Sequence, residues 1–373
     1  MKKAMNYLFS HRARACMVAA AMFIFGGTLV AQTVSNADLI KRVFAVSKEA
    51  TLEVENKYGT ILVVPWQKDS VQISADIFLE AKNRSKLRKL KNDVDVSVSG
   101  TKNYVVARTR IGEGSSRISA ELRALSNTLS GKSAVEINYT LYVPQDINLF
   151  LTNKFGDIYI DDISGKTDIS LSNGVLKANS FTGNTTLELT FAEARINEIT
   201  TATANLSFAE ITVGSAGQFD VTSKSSEIDV EQVDVFKFNS RRDEISLGYA
   251  EYLYGFSDFT DIEVINFIRE ADCDMKYGKI YLDHVDPGFS MINLKSEYTG
   301  VSLFIERESS FDLDIEHYKQ VRLNLPQPGG RFDTRNTGGD YRRTTGTYGN
   351  NDGDRRINIR ADQKTYINIS IRK

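Results

Sequence analysis

The chain has 373 residues, with 46 Lys and Arg against 48 Asp and Glu for a net charge of −2. A charge this close to neutral excludes the electrostatic footprint of a nucleic-acid or anionic-surface binder, and two cysteines exclude a disulfide-stapled fold. Length and an apolar content of 41% suffice for a large core.

Lys2, Lys3, His11, Arg12 and Arg14 precede an apolar run over 15–31, and Ala31-Gln32 offers a cleavage point. This pattern reads as a secretory signal peptide over 1–31, with an uncleaved anchor as the alternative because Leu29 stands where a small residue is usual. Export places the mature chain in the periplasm or at the outer membrane or cell surface, with no transmembrane segment left after the signal is removed. Cys16 opens the apolar run instead of following it, which argues against lipid attachment, and Cys273 reads as a core residue.

Residues 32–81 read as the first strands of a repeat. Leu52-Glu53-Val54-Glu55-Asn56-Lys57-Tyr58-Gly59-Thr60-Ile61 matches Leu149-Phe150-Leu151-Thr152-Asn153-Lys154-Phe155-Gly156-Asp157-Ile158 almost position for position. Residues 82–133 interrupt the pattern as a small α+β insertion: a short helix at Ser85–Lys91, strands at Asp93–Val98 and Tyr104–Arg110, then a Gly- and Ser-rich loop. Such an insertion caps the exposed first edge of a repeat array, or binds a partner there.

From 134 to 325 one phrase recurs: a turn, then a short alternating strand. The first aliphatic residue of each unit falls at Ile158, Val175, Ala194, Ile211, Ile228, Ile245, Ile262, Ile280 and Val301, in steps of 17, 19, 17, 17, 17, 17, 18 and 21. A unit of about two strands cannot bury its apolar face alone, so the period predicts stacked copies. The expected fold is all-β, a parallel β-helix or β-solenoid with roughly 17-residue repeats and a rod roughly 40 Å long. The competing picture is an antiparallel meander, for which Asn173-Gly174 is a hairpin signal. Residues 326–356 then read as a long loop rich in Gly and Arg, and 357–373 as terminal strands.

Two sets of residues are candidates for binding. Glu193, Glu210, Glu227, Glu244 and Asp261 each precede a register mark by one residue, so stacking would align them as a column of carboxylates. Like charges at strand spacing repel, and calcium or basic side chains would relieve them. Arg331, Arg335, Tyr341, Arg342, Arg343 and Tyr348 in the C-terminal loop form the second set, suited to glycan or phosphate. The recurring Tyr58, Phe155, Phe191, Phe208, Tyr277 and Tyr298 read as core or corner-sealing rings, with an exposed stack for sugar faces as the alternative. His284 and His317 are 33 residues apart and lack a carboxylate or cysteine cluster that would suggest a zinc site, and neither a phosphate loop nor a nucleophile elbow is present. No cofactor is expected apart from the calcium option.

The run Tyr139-Thr140-Leu141-Tyr142-Val143-Pro144, followed by Ile147-Asn148-Leu149 and Asn153-Lys154-Phe155-Gly156-Asp157-Ile158, resembles a bacterial family of exported putative adhesins with β-strand repeats, common in Bacteroidetes. That resemblance implies a β-helical fold in the cell envelope and no established catalytic residues. The expected role is a non-enzymatic envelope protein presenting an extended surface to a protein or glycan. A carbohydrate-active β-helix enzyme and an accessory or sensor protein of an envelope-stress system are the alternatives.

Overall fold

A computed structural model describes residues 34–112, 135–350, 354–362 and 365–372. The expected leader over 1–31 and the 113–133 part of the expected insertion lie outside the described residues. The described chain is all-β with a single helix, and its strands join one large, mostly parallel, open sheet. No helix among the described residues is long and apolar enough to cross a membrane.

In chain order the first elements are β1 (Val34–Ala45), β2 (Thr51–Lys57), β3 (Ile61–Trp66), β4 (Ser70–Ala81), α1 (Arg84–Asp93), β5 (Val94–Gly100) and β6 (Tyr104–Ile111). The central part comprises β7 (Val135–Pro144), β8 (Asn148–Lys154), β9 (Ile158–Ile160), β10 (Thr167–Ser172), β11 (Val175–Thr190), β12 (Glu193–Ser207), β13 (Glu210–Lys224), β14 (Glu227–Arg241), β15 (Glu244–Val285) and β16 (Met291–Ile305). The chain finishes with β17 (Phe311–Tyr318), β18 (Arg322–Asn324), β19 (Gly330–Gly338), β20 (Tyr341–Tyr348), β21 (Arg356–Asp362) and β22 (Tyr366–Ile371).

The centre is built by parallel pairing. Ile158 opposes Leu176, Leu176 opposes Ala194, and the column continues through Ile211, Ile228 and Ile245, in steps of 18, 18, 17, 17 and 17. All six are wholly buried. The sequence reading placed the second mark one residue early, at Val175, which is only half-buried and opposes Glu193. Alternation sends Val175 and Leu176 to opposite faces, so only one of them can enter the core. Asn173-Gly174 is not a hairpin: β10 and β11 run parallel, with Thr167 opposite Thr185. Asn173 instead forms a corner at φ 57°.

Inside, neighbouring levels exchange volume. Ala202, Phe219, Phe236 and Leu253 form one inward column, and the Phe219 and Phe236 rings meet edge to face at 6.0 Å. Backbones approach closely at the corner glycines, where a Cβ on Gly156 would lie 2.0 Å from the Gly59 carbonyl oxygen.

Both ends of the array depart from simple stacking. At the N-terminal end β2 pairs with β6 as well as β8, and β3 with β7 as well as β9, so part of the insertion continues the parallel array. Antiparallel β1 and β5 close this end against β4 and β6. Helix α1 sits beside β4, its start capped by the Asn83 side chain, which accepts from the Lys86 N–H at 2.9 Å. At the other end β21 lies between β16 and β17, and β22 between β16 and β18. The strands that finish the chain thus lie inside the sheet.

The expected loop over 326–356 is also corrected: β19 and β20 form an antiparallel hairpin, and β20 pairs with β17. Gly, Thr and Arg hide the strand pattern in composition. Phe332 and Tyr348 nevertheless pack against the core and Thr344 is buried, while Gly338 and Gly339 take the positive φ that the turn needs.

Truncating Phe219 to Ala should lower stability by about 3–5 kcal/mol, because the stacked levels limit collapse of the cavity. Asp229→Ala on the exposed face should stay within about 0.5 kcal/mol. Urea unfolding of both variants compares the two directly.

Candidate functional site

Each coil turns at one residue held in the left-handed region. Tyr58, Phe155, Asn173, Phe191, Phe208, Ser225, Arg242, Phe259, Tyr277 and Tyr298 all have φ between 50° and 63°. A side chain in this conformation costs roughly 1–2 kcal/mol, and glycine or asparagine is the usual occupant. The surrounding ladder fixes the corner: the Phe208 N–H donates to the Lys224 carbonyl at 3.0 Å, and the Glu210 N–H to the Ala192 carbonyl at 3.0 Å.

The corner rings project into solvent. Phe191 is 58% exposed and Phe208 50%, so the recurring aromatics sit at corners but form the exposed stack instead of packing in the core; Phe259, outside the predicted set, joins them at 51%. They stack face to face up the outside of the array. Centroids are 5.4 Å apart for Tyr58–Phe155, 5.0 Å for Phe191–Phe208, 4.6 Å for Phe259–Tyr277 and 5.0 Å for Tyr277–Tyr298. Between Phe208 and Phe259 the column carries Ser225 and Arg242 instead. The Arg242 guanidinium lies over the Phe259 ring, 5.9 Å from its centroid.

Two residues beyond the five successive corners from Phe191 to Phe259 stands a carboxylate. Glu193, Glu210, Glu227 and Glu244 are direct parallel partners, and the Asp261 N–H donates to the Asp243 carbonyl at the next level, so the predicted column exists. At its ends Glu193 meets Arg195 at 2.8 Å and Asp261 meets Lys279 at 3.1 Å. Glu210, Glu227 and Glu244 between them have no ion-pair partner among the described residues. As for calcium, the column offers one carboxylate per level. Among the described residues no group of three or more His, Cys, Asp or Glu side chains is placed to hold a metal ion.

Rings and carboxylates together line an open groove of about 1070 Å³ that runs from Asn173 to Asp261. Under its middle lies a residue that the sequence reading passed over, Asp243. Its buried carboxylate accepts from the Ser223 and Ser240 hydroxyls, both at 2.6 Å, from the Ser226 N–H at 2.7 Å and from the Arg241 N–H at 2.8 Å. Four donors offset the desolvation of the charge. The signal was in the register: Phe-Ala-Glu at 191–193 and 208–210 becomes Ser-Ser-Glu at 225–227 and Arg-Asp-Glu at 242–244.

The second predicted set lies elsewhere, on the β19–β20 hairpin, and much of it is engaged within the chain. Arg343 pairs with Asp314, Arg335 with Asp333 at 2.8 Å, and the Tyr341 hydroxyl donates to Asp362 at 3.1 Å. Tyr348 stacks on Phe311 at 5.4 Å. Arg331 and Arg342 have no ion-pair partner among the described residues. His284 has a carboxylate neighbour, with Nδ1 2.8 Å from Glu306, while buried His317 lies between the Tyr318 carbonyl and the Thr344 hydroxyl, both at 3.1 Å. Burial pushes the Cys273 thiol well above its ordinary value, which leaves it inert as a nucleophile.

Asp243→Ala should lower stability by about 2–5 kcal/mol, since buried donors lose their acceptor. Alanine fits the corner shape, as Ala192 and Ala209 occupy the same position on other levels. Guanidinium melts of both proteins measure the difference. Burial also lowers the His317 pKa, so the unfolded chain binds a proton at a pH where the folded site does not. Stability should therefore fall as pH drops through about 6.5, the ordinary imidazole value. Urea midpoints at pH 7.5 and 5.5 test this, with His317→Gln reducing the drop.

Neither a protein-family model nor a curated protein matches the sequence. Solved structures do. A putative cell adhesion protein from Clostridium sporogenes matches at 9% identity over 90% of this chain and 100% of its own, with a TM-score of 0.17. A putative adhesin from Parabacteroides distasonis matches at 10% identity over 72% and 93%, with a TM-score of 0.26. A putative adhesin from Bacteroides fragilis matches at 10% identity over 90% and 97%, with a TM-score of 0.23. The superpositions are loose at these scores, and the role of this chain rests on its own groove.

Proposed function

We propose that this chain is a non-enzymatic binding scaffold of the cell envelope, exported by its leader. In this reading it is a β-solenoid of roughly 17-residue coils, capped at its first coil by the 82–133 insertion. The solenoid presents the corner groove to a protein or glycan partner. One observation carries the proposal: large rings occupy strained corner positions and stand in water. Glycine would relieve the backbone, and burial would use the apolar area. Neither happens, and strain kept together with exposed apolar surface is a mark of a binding face.

Catalysis has less to stand on. The acidic side chains of the column repeat evenly from coil to coil, whereas glycosidic cleavage needs one acid and one base set apart at a single bond. His284 is held by Glu306 and His317 is buried, so neither sits in the groove.

The test is the double variant Phe191→Ala, Phe208→Ala. The rings are exposed, and loss of their stack, about 0.5–1.5 kcal/mol, leaves the fold intact. Binding to a glycan array and to fractionated envelope components should be lost while the melting curve is nearly unchanged. Undiminished binding by this variant would contradict the proposal. Turnover of a glycan that Glu227→Gln abolishes would replace it with the enzymatic alternative.

A further inference from the structure

The chemistry of the groove narrows its partner. Glu210, Glu227 and Glu244 stand one coil apart, roughly 4.8 Å, and have no ion-pair partner among the described residues. Like charges at that spacing destabilise each other, so a ligand that brings positive charge relieves the fold as it binds. An anionic ligand would add to this repulsion along the column, and a neutral one would leave it in place.

The adjoining column specifies the shape of that charge. Rings one level apart stack at 4.6–5.4 Å. Phe208 and Arg242 are two levels apart, with only the Ser225 side chain between them, which leaves a gap one planar group thick. The protein already seats a planar cation on this column, since the Arg242 guanidinium covers Phe259. A second guanidinium in the Ser225 gap would lie against the free face of Phe208 with Glu210 and Glu227 beside it. Arginine suits both contacts, because its flat fork stacks on rings and pairs with carboxylates in a way that a lysine ammonium does not.

Resting on the scaffold reading above, we propose that the groove docks an extended, arginine-bearing polypeptide segment of a partner protein, one guanidinium filling the Ser225 gap. Same-face side chains of an extended segment recur about every 7 Å. Two such arginines, about 7 Å apart, both fall within the roughly 10 Å between Glu210 and Glu244 at the ladder spacing.

The experiment uses the mature protein and three labelled heptapeptides that alternate Gly with Arg, Lys or Glu, read by fluorescence anisotropy. Two variants accompany it: Ser225→Phe, which restores the missing ring as at Phe208, and the triple Glu210→Gln, Glu227→Gln, Glu244→Gln. The Arg peptide should bind about tenfold more tightly than the Lys peptide and weaken with added salt. Each variant should reduce its affinity about tenfold or more. Equal binding of the Arg and Glu peptides, or affinity unchanged in Ser225→Phe, overturns the proposal. Self-association of the protein alone, lost in Ser225→Phe, would make a second copy the occupant and also overturn it. Glycan binding lost in Phe191→Ala, Phe208→Ala but kept in the triple variant would overturn the cationic partner and leave the scaffold. Binding kept in that double variant would overturn the scaffold itself.

Discussion

The centre of this molecule depends on parallel backbone pairing in fixed register. Because Glu193 pairs with Glu210, Glu210 with Glu227 and Glu227 with Glu244, any property of one position is multiplied into a column. An inward aliphatic becomes a continuous core and an outward acid becomes a rail of charge. The same rule makes errors expensive, since a slip of one residue would turn every buried side chain outward.

The corner is where this constraint meets function. A chain that turns at the same place on each level needs one left-handed residue per level, and glycine or asparagine meets that need at least cost. Asn173 does so, whereas Phe191, Phe208 and Phe259 do not. Their strain is tolerated because ladder hydrogen bonds on both sides hold the turn. Asp243 and its four donors serve the same corner from beneath, on a level where the ring is absent. Groove, rail and gap thus follow from one turn geometry with different occupants.

Much of this was legible in the sequence. The alternating runs locate the central strands, and the carboxylate column follows from the spacing of Glu193, Glu210, Glu227, Glu244 and Asp261. Less legible was whatever alternation cannot decide. Val175 and Leu176 are both aliphatic, and only pairing with Ile158 shows which points inward. Ring exposure at Phe208 was hidden because an aromatic residue at a turn has the same composition whether it seals the core or faces water. The β19–β20 hairpin was hidden by Gly, Thr and Arg, and the interior position of β21 and β22 arises from long-range pairing that no local pattern records.

The most direct test of the account is spin-label distance along one outward column, in which Leu62, Tyr159, Lys177, Arg195, Thr212 and Asp229 pair in succession. Labels at Lys177 and Asp229 are three levels apart and should lie roughly 14 Å from each other; those at Leu62 and Asp229, five levels apart, should give roughly 24 Å. Distances that grow in equal steps with the number of coils would establish the stacked register. Distances that fail to grow with the number of levels would contradict it, and with it the columns from which the groove is made.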